Sequence, residues 1–432
     1  MHLFNVNFIE QGATKIVNWY LCGSTYPIEP YYQQPPAMWA SSPWSGHYIV
    51  KPIIWAYAHY GQFTSIGWRY VNGGCAKLPG GGSVVTLKSD SGDYSVIVET
   101  AGAKSSQSVS FRIGGGLSSR ALCVWRTTRQ DQFTRQADVT PASDGSLTFT
   151  FKPEAIYSLS TTTGQQKGAF ADVPAEKPFP FPYSENFDHY SAPKLWGYLP
   201  HYMADICGVF EVVDRPDKTG KCLRQVVERK AQSWAPEWKP YTVLGDASWT
   251  DYEVSADVYF DNGGWAGIMG RVNITGNGWD GDPNGYYARL DTNGTCALYI
   301  ANQAIRGGTR DEQLAAGTVS GWKGEGWHKV MLRFEGRKIT MLVDGAAVVS
   351  TENGTFGHGM AGLITGGAGI ARSTALFDNL LINRVNGAAV EPTGFLADRD
   401  PLPPVTESSS NGDLLWTRCT CVWGTSRGQP RR

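Results

Sequence analysis

The chain reads as predominantly β. Three observations carry that reading. Glycine and proline are plentiful, at 51 and 24 of 432 residues, and favour many turns and short strands. Tryptophan and tyrosine, at 16 and 20, suit the cores of β-sandwiches and the faces of carbohydrate-binding β-proteins. Beyond about residue 70 the apolar residues alternate with a period of two, interrupted by Gly, Asp and Asn. A chain of this length buries two or three cores rather than one. Its formal net charge of -1 gives no electrostatic reason to expect nucleic acid or an anionic membrane as partner. No apolar run reaches the roughly 18 residues that a membrane-spanning helix needs.

Taken in order, residues 1–70 hold the convincing helical signals. Ile54, Ala58 and Gly61 to Phe63 recur at helical spacing, and Pro52 stands where a helix would begin. Residues 71–172 switch to strands. Ser83-Val84-Val85-Thr86-Leu87 and Tyr94-Ser95-Val96-Ile97-Val98-Glu99 flank Ser89-Asp90-Ser91-Gly92 as a hairpin. Ser146-Leu147-Thr148-Phe149-Thr150-Phe151 alternates strictly after the Asp144-Gly145 turn, as in a small β-sandwich. Residues 173–182 contain four prolines and read as an extended, stiff linker. Residues 183–384 form a second all-β unit. Strands are expected at 249–260, 267–272, 327–334, 338–343 and 376–382, with corners at Gly336-Arg337 and Asp344-Gly345. A strand-rich unit of about 200 residues is most economically a two-sheet jelly roll. Residues 385–432 turn polar and are expected to be disordered or an artefact of the gene prediction.

The eight cysteines (22, 75, 123, 207, 222, 296, 419, 421) make neither a zinc spacing nor a redox CxxC pair. They permit a disulfide or two without demanding one. Asn273, Asn293 and Asn353 each begin an N-x-T sequon and are candidate glycosylation sites. The first residues show no basic stretch followed by an apolar one, so no signal peptide is visible.

One stretch suggests a lineage. Ser42-Pro43-Trp44-Ser45-Gly46-His47-Tyr48, followed by His59-Tyr60-Gly61-Gln62-Phe63-Thr64-Ser65-Ile66-Gly67-Trp68, resembles the last part of the catalytic barrel in the galactocerebrosidases. These are the family 59 glycoside hydrolases that remove galactose from galactosylceramide. Ser143-Asp144-Gly145-Ser146-Leu147-Thr148 resembles the family's β-sandwich domain, and residues 245–249, 267–273, 326–332 and 377–382 resemble its C-terminal lectin-like domain. The resemblance spans residues 5–384. It implies an incomplete (β/α)8 barrel remnant, a small β-sandwich and a concanavalin-like jelly roll.

The family's two catalytic glutamates lie upstream of the motif, so the chain is expected to begin after its own chemistry, with no catalytic residue present. Retaining glycosidases need two carboxyl groups about 5–5.5 Å apart. The barrel remnant offers Glu10 and Glu29, and neither matches a catalytic position. The resemblance does imply sugar-binding residues. Trp19, with Tyr20 as rival, matches an aromatic residue of the sugar pocket. Tyr31 or Tyr32 would line the same wall, and Trp234 would reach over the site from the lectin-like domain. A family arginine that hydrogen-bonds the sugar falls on Ser110 without a gap and on Arg112 with a shift of two. A structural calcium ion is implied at Asn186, Asp188, the carbonyl of Lys221 and Asp378, where the bland alternative is a pair of Asx turns.

The expected function is that of a galactosylceramidase-like retaining hydrolase acting on galactosylceramide or another β-galactoside. A sphingolipid activator protein, or a separate chain carrying the barrel, would be its partner. By the resemblance and the sequons the setting is lysosomal or secreted. A non-catalytic lectin-like protein is the alternative, and a non-functional fragment is a third.

Overall fold

The computed structural model describes residues 1–17, 21–24, 37–168, 172–190, 199–230, 238–276, 282–304, 311–367, 371–388 and 390–393. The helix His2–Gln11 ends at Gly12, whose φ of 62° is the left-handed conformation that glycine adopts without steric cost. A parallel pair, Cys22–Ser24 and Met38–Ala40, is extended by Ile49–Val50 into a three-stranded sheet. The expected second helix spans Ile53–Gly61 and begins after Pro52. The first helix was not read from sequence: two of its apolar residues, Phe4 and Phe8, meet Tyr57 and Tyr60 at 5.8 and 5.3 Å.

Both helices pack on one face of a seven-stranded sheet. Its strand order is Thr134–Val139, Leu122–Thr127, Ile156–Ser160, Tyr94–Glu99, Ser83–Lys88 and Arg69–Tyr70, with Ala76–Lys77 also paired to Ser83–Lys88. The pairing of Ser83–Lys88 with Tyr94–Glu99 is the hairpin read from sequence. Gly92, in its turn, has a φ of 88°, and a Cβ there would lie 2.5 Å from the Gly116 carbonyl oxygen. A glycine is required on both counts. Every residue of Tyr94–Glu99 is buried, because the sheet is covered on both sides. Val96 and Val98 face the sandwich core. Ile97 faces the opposite side, with Phe8, Ile9 and Tyr60. The second sheet of the sandwich has only two strands, Gln107–Arg112 and Ser146–Phe151. Its outer face is solvated, which explains the strict alternation of 146–151.

Residues 173–182 carry no regular structure, yet they are docked rather than free. Trp44 Nε1 donates to the Lys177 carbonyl at 2.8 Å, and its ring meets Phe179 edge-on at 5.1 Å. His47 Nδ1 lies 2.8 Å from the Pro174 carbonyl. Ser41 and Ser42 donate to one Glu176 carboxylate oxygen at 2.5 and 2.9 Å. Phe179 is buried, and with Trp44 it belongs to the jelly-roll core. The linker expected from four prolines is therefore a strap, gripped by the 42–48 motif. Prolines cannot donate main-chain hydrogen bonds, so the strap is held through its carbonyls and side chains.

The jelly roll is two sheets packed face to face. One runs Phe210–Asp214, Lys221–Gln225, Leu376–Asn383, Glu253–Tyr259, Trp327–Glu335, Lys338–Val343 and Ala346–Glu352, with Tyr183–Glu185 also paired to Leu376–Asn383. The other runs Ala204–Cys207, Tyr241–Leu244, Met360–Gly366, Trp265–Ile274, Asn284–Asp291, Thr295–Ala301 and Asp311–Thr318. Val254, Ala256, Val258, Ile268, Ala288 and Leu298 fill the space between them. Arg271 is buried in this unit at 1% exposure. Its guanidinium donates to the carbonyls of Thr250, Gly336 and Phe356 at 2.9–3.2 Å and to the Asp251 carboxylate at 3.0 Å. Four of the five guanidinium N–H groups are thus hydrogen-bonded, as a buried charge requires.

Among the described residues no helix is long and apolar enough to cross a membrane. Among the described residues Cys75, Cys123, Cys222 and Cys296 are free thiols.

Candidate glycan-binding site

The second jelly-roll sheet presents an unusual outer face. Strand alternation sends Tyr286, Ala288 and Leu290 into the inter-sheet core and Tyr287, Arg289 and Asp291 to the other side. Trp265 and Tyr299 come from the two flanking strands to the same side. The rings form a row. Trp265 stacks on Tyr287 at 5.9 Å and 13°, and Tyr287 stacks on Tyr299 at 4.8 Å and 4°. Trp238 stands edge-on to Tyr287 and Tyr241 at 6.0 and 5.3 Å. Gly366 makes room for this row: a Cβ there would lie 2.3 Å from the Trp265 ring.

Charged groups frame the rings. Arg289 lies over Trp265 at 5.0 Å and is held bidentately by Asp291 at 2.6 and 2.8 Å. Lys239 lies 4.4 Å from the Trp238 ring and pairs with Asp311 at 2.6 Å. Asp311 also accepts the Tyr287 hydroxyl. Burial and the adjacent Asp311 raise the Tyr287 phenol far above its ordinary pKa, so it stays a neutral donor. Trp238 Nε1 is buried without a hydrogen-bond partner among the described residues. The stacked rings cover one another's faces, and Trp265, Tyr287 and Trp238 are buried; Tyr299, half-buried at the end of the row beside Gln313, is a ring still open to the apolar face of a hexose.

The residues expected to form the sugar pocket are placed as follows. Trp19, Tyr20, Tyr31, Tyr32, Glu29 and Trp234 lie outside the described residues. Arg112 ends the strand Gln107–Arg112 on the sandwich, exposed and without an ion pair among the described residues. Ser110, its rival, is exposed and bonded to Thr148 at 2.9 Å. Glu10 is ion-paired with Lys77. Glu99 is buried and accepts from Ser83, from Ala101 N–H at 2.8 Å and from His2 Nδ1 at 2.9 Å. Glu10 is thus held in a surface ion pair and Glu99 in buried hydrogen bonds.

The residues of the implied calcium site converge on one hairpin. Asp188 Oδ1 accepts Lys221 N–H at 2.8 Å, and Asp188 Oδ2 accepts the Asn186 amide at 3.2 Å. Asn186 Oδ1 in turn accepts Asp188 N–H at 3.2 Å, an Asx turn. Asp378 is nearly buried and bound by Arg215, which sits in the same hairpin and also grips Asp217. The donors are all oxygen, in keeping with calcium, but Arg215 already neutralises one of the two carboxylates. Among the described residues no cluster of three or more carboxylate, imidazole or thiol groups is placed to hold a metal.

Of the sequons, Asn293 is exposed in a turn, whereas Asn273 and Asn353 are half-buried. Asn353 Oδ1 also accepts the Tyr286 hydroxyl at 2.7 Å. The aromatic row was missed in the sequence, although its signal was there: Trp265, Tyr287 and Tyr299 all sit out of phase with the core positions of their strands.

Two antiparallel sheets packed over one core, beside a smaller sandwich, make this a β-protein of the lectin-bearing class. Comparison with known proteins agrees. Residues 1–62 match the model of glycosyl hydrolase family 59, and residues 205–385 match the model of the galactocerebrosidase C-terminal lectin domain. The chain belongs to glycosyl hydrolase family 59, the galactocerebrosidase family. It is 34% identical to the galactocerebrosidase of Mus musculus over 301 residues, which is 63% of this chain and 43% of that one. The Homo sapiens galactocerebrosidase is 32% identical over the same length, and that of Salmo salar 28% identical over 383 residues, 82% of this chain and 56% of that one. The chain spans about half the length of these curated relatives.

Proposed function

We propose that this chain is the substrate-recognising part of a galactosylceramidase-like retaining glycoside hydrolase, acting on galactosylceramide or a related β-galactoside, with both catalytic glutamates supplied from barrel sequence other than this. The observation that carries this reading is the pair of family matches, one in the barrel-derived segment and one in the lectin domain. The mutual docking of the 42–48 motif and the 173–182 strap supports it, because it joins the first matched segment to the jelly-roll core. In the complete reaction one glutamate would attack the anomeric carbon while the second protonated the leaving oxygen, and water would then release the galactosyl group. Glu10 and Glu99, committed to internal partners, take no part. Trp19, Tyr32, Trp234 and Arg112 would contact the sugar. A sphingolipid activator protein would present the lipid, in a lysosomal or secreted setting, with glycosylation at Asn293 ahead of Asn273 and Asn353. The test is to assay galactosylceramide hydrolysis by this chain and by the same chain fused to an upstream barrel carrying two glutamates. Activity should belong to the fusion alone, and activity of the chain by itself would refute the assignment.

Tyr299, at the open end of the aromatic row, favours a second reading, a lectin-like protein that binds glycans without hydrolysing them. Titration with methyl β-galactoside would show binding lost on Tyr299→Ala if that face is the site.

A structural calcium ion would be held by Asn186, Asp188, the Lys221 carbonyl and Asp378. It would tie the start of the lectin-like domain to its last strand, in competition with Arg215 for Asp378.

A further inference from the structure

The open end of the aromatic row carries a polar side chain fixed beside the last ring. Tyr299 pairs across the sheet with Tyr287 on one side and with Gln313 on the other. Tyr287 covers one face of its ring, stacked at 4.8 Å and 4°. The other face turns towards the strand Asp311–Thr318, where the next side chain is Gln313 rather than a fourth ring.

The pairing of that strand is irregular at this point. Leu298 stands opposite Ala315 and Tyr299 opposite Gln313, so Leu314 is an extra residue. Leu314 and Ala315 both pack towards the inter-sheet core. A bulge of this kind re-aims the side chains that flank it. The next exposed residue after Gln313 is therefore Ala316, opposite Ala297, and these two methyl groups raise no wall beside the Tyr299 ring.

The Tyr299 hydroxyl donates to Gln313 Oε1 at 3.0 Å. That bond engages the amide oxygen and orients the group, while its Nε2–H donors have no protein acceptor among the described residues. Gln313 is exposed, so those donors are open to a ligand. An oriented donor at the rim of an open aromatic face suits a sugar, which lays its C–H face on the ring and directs its hydroxyls past the edge.

We propose that Gln313 is a specificity-determining residue of this face, donating through Nε2 to one hydroxyl of a hexose stacked on Tyr299. The assignment rests on the reading of the face as a glycan site and names the side chain that reads the hydroxyl. Tyr299 then has two parts, a ring that carries the sugar and a hydroxyl that positions Gln313.

The test is NMR titration of the full chain with methyl β-galactoside and with each of its monodeoxy analogues. Gln313→Leu should weaken the parent sugar about fivefold, the effect of one neutral hydrogen bond. One deoxy analogue should bind the wild type more weakly by the same factor and lose nothing further on Gln313→Leu. Tyr299→Phe, which keeps the ring and frees the amide, should weaken the parent sugar less than Tyr299→Ala, and this loss should vanish when Gln313 is already Leu. Full affinity in Gln313→Leu while Tyr299→Ala abolishes binding, or an equal loss on Gln313→Leu for every deoxy analogue, would overturn the proposal and leave the glycan site standing. No saturable binding by the wild type, or binding indifferent to Tyr299→Ala, would overturn both.

Discussion

At the scale of single residues, two buried groups set measurable properties. His59 is fully buried, with Nδ1 2.8 Å from the Ser158 hydroxyl and Nε2 2.8 Å from that of Thr127. Burial lowers its pKa to about 3. An unfolded imidazole titrates near 6.5, so between about pH 6.5 and 3 the unfolded chain holds a proton that the folded one refuses. The stability tied to this residue is complete above about pH 6.5 and falls by about 1.4 kcal/mol per pH unit below it. Asp205 works in the opposite sense. Burial raises its carboxyl to about 6, and its contribution, complete below about pH 4, is lost as pH rises through 6. Comparing variants separates the two. His59→Gln should lower the melting temperature at pH 7 and flatten its decline between pH 7 and 5, and thermal melts across that range check this. Arg271 sits among three carbonyls and Asp251, over the Phe334 ring at 4.7 Å. Arg271→Ala takes the donor away from those three carbonyls and should cost about 3–5 kcal/mol in urea unfolding.

At the scale of elements, the strap and the calcium hairpin carry the predictions. Trp44→Ala removes a ring shared with the jelly-roll core and the hydrogen bond to Lys177, and should cost about 3–5 kcal/mol. The freed strap should then be cut by proteases between residues 173 and 182, where the wild type resists. If calcium competes with Arg215 for Asp378, Arg215→Met should make the melting temperature rise with added calcium and fall with chelator more steeply than in the wild type. A melting curve indifferent to calcium in both proteins would remove the metal from the account. These elements also show what the sequence could reveal. The strands 83–88, 94–99, 146–151, 327–335 and 338–343 were legible because period-two patterning and Gly or Asp corners act locally. The helix His2–Gln11 was not, because its packing depends on Tyr57 and Tyr60, some fifty residues away. The strap was read as a spacer for the same reason. Its prolines show in the sequence, but the grip of Trp44, His47 and the two serines is tertiary.

At the scale of the whole molecule, the family was legible from a few short motifs, but the site was legible only in part. Trp19, Tyr32 and Trp234 are expected from the resemblance and lie outside the described residues. The aromatic row was passed over in a search for catalytic carboxylates, and its rings, on three consecutive strands, meet only once those strands pair. The central proposal is that this chain recognises a β-galactolipid and leaves its hydrolysis to glutamates supplied from other barrel sequence. Vesicles containing galactosylceramide labelled in the galactose would test both halves at once. Sedimentation with the chain should carry protein down with the vesicles, more than with vesicles lacking the lipid, and leave no free labelled galactose in the supernatant. Released galactose, or sedimentation that ignores the galactolipid, would contradict the account.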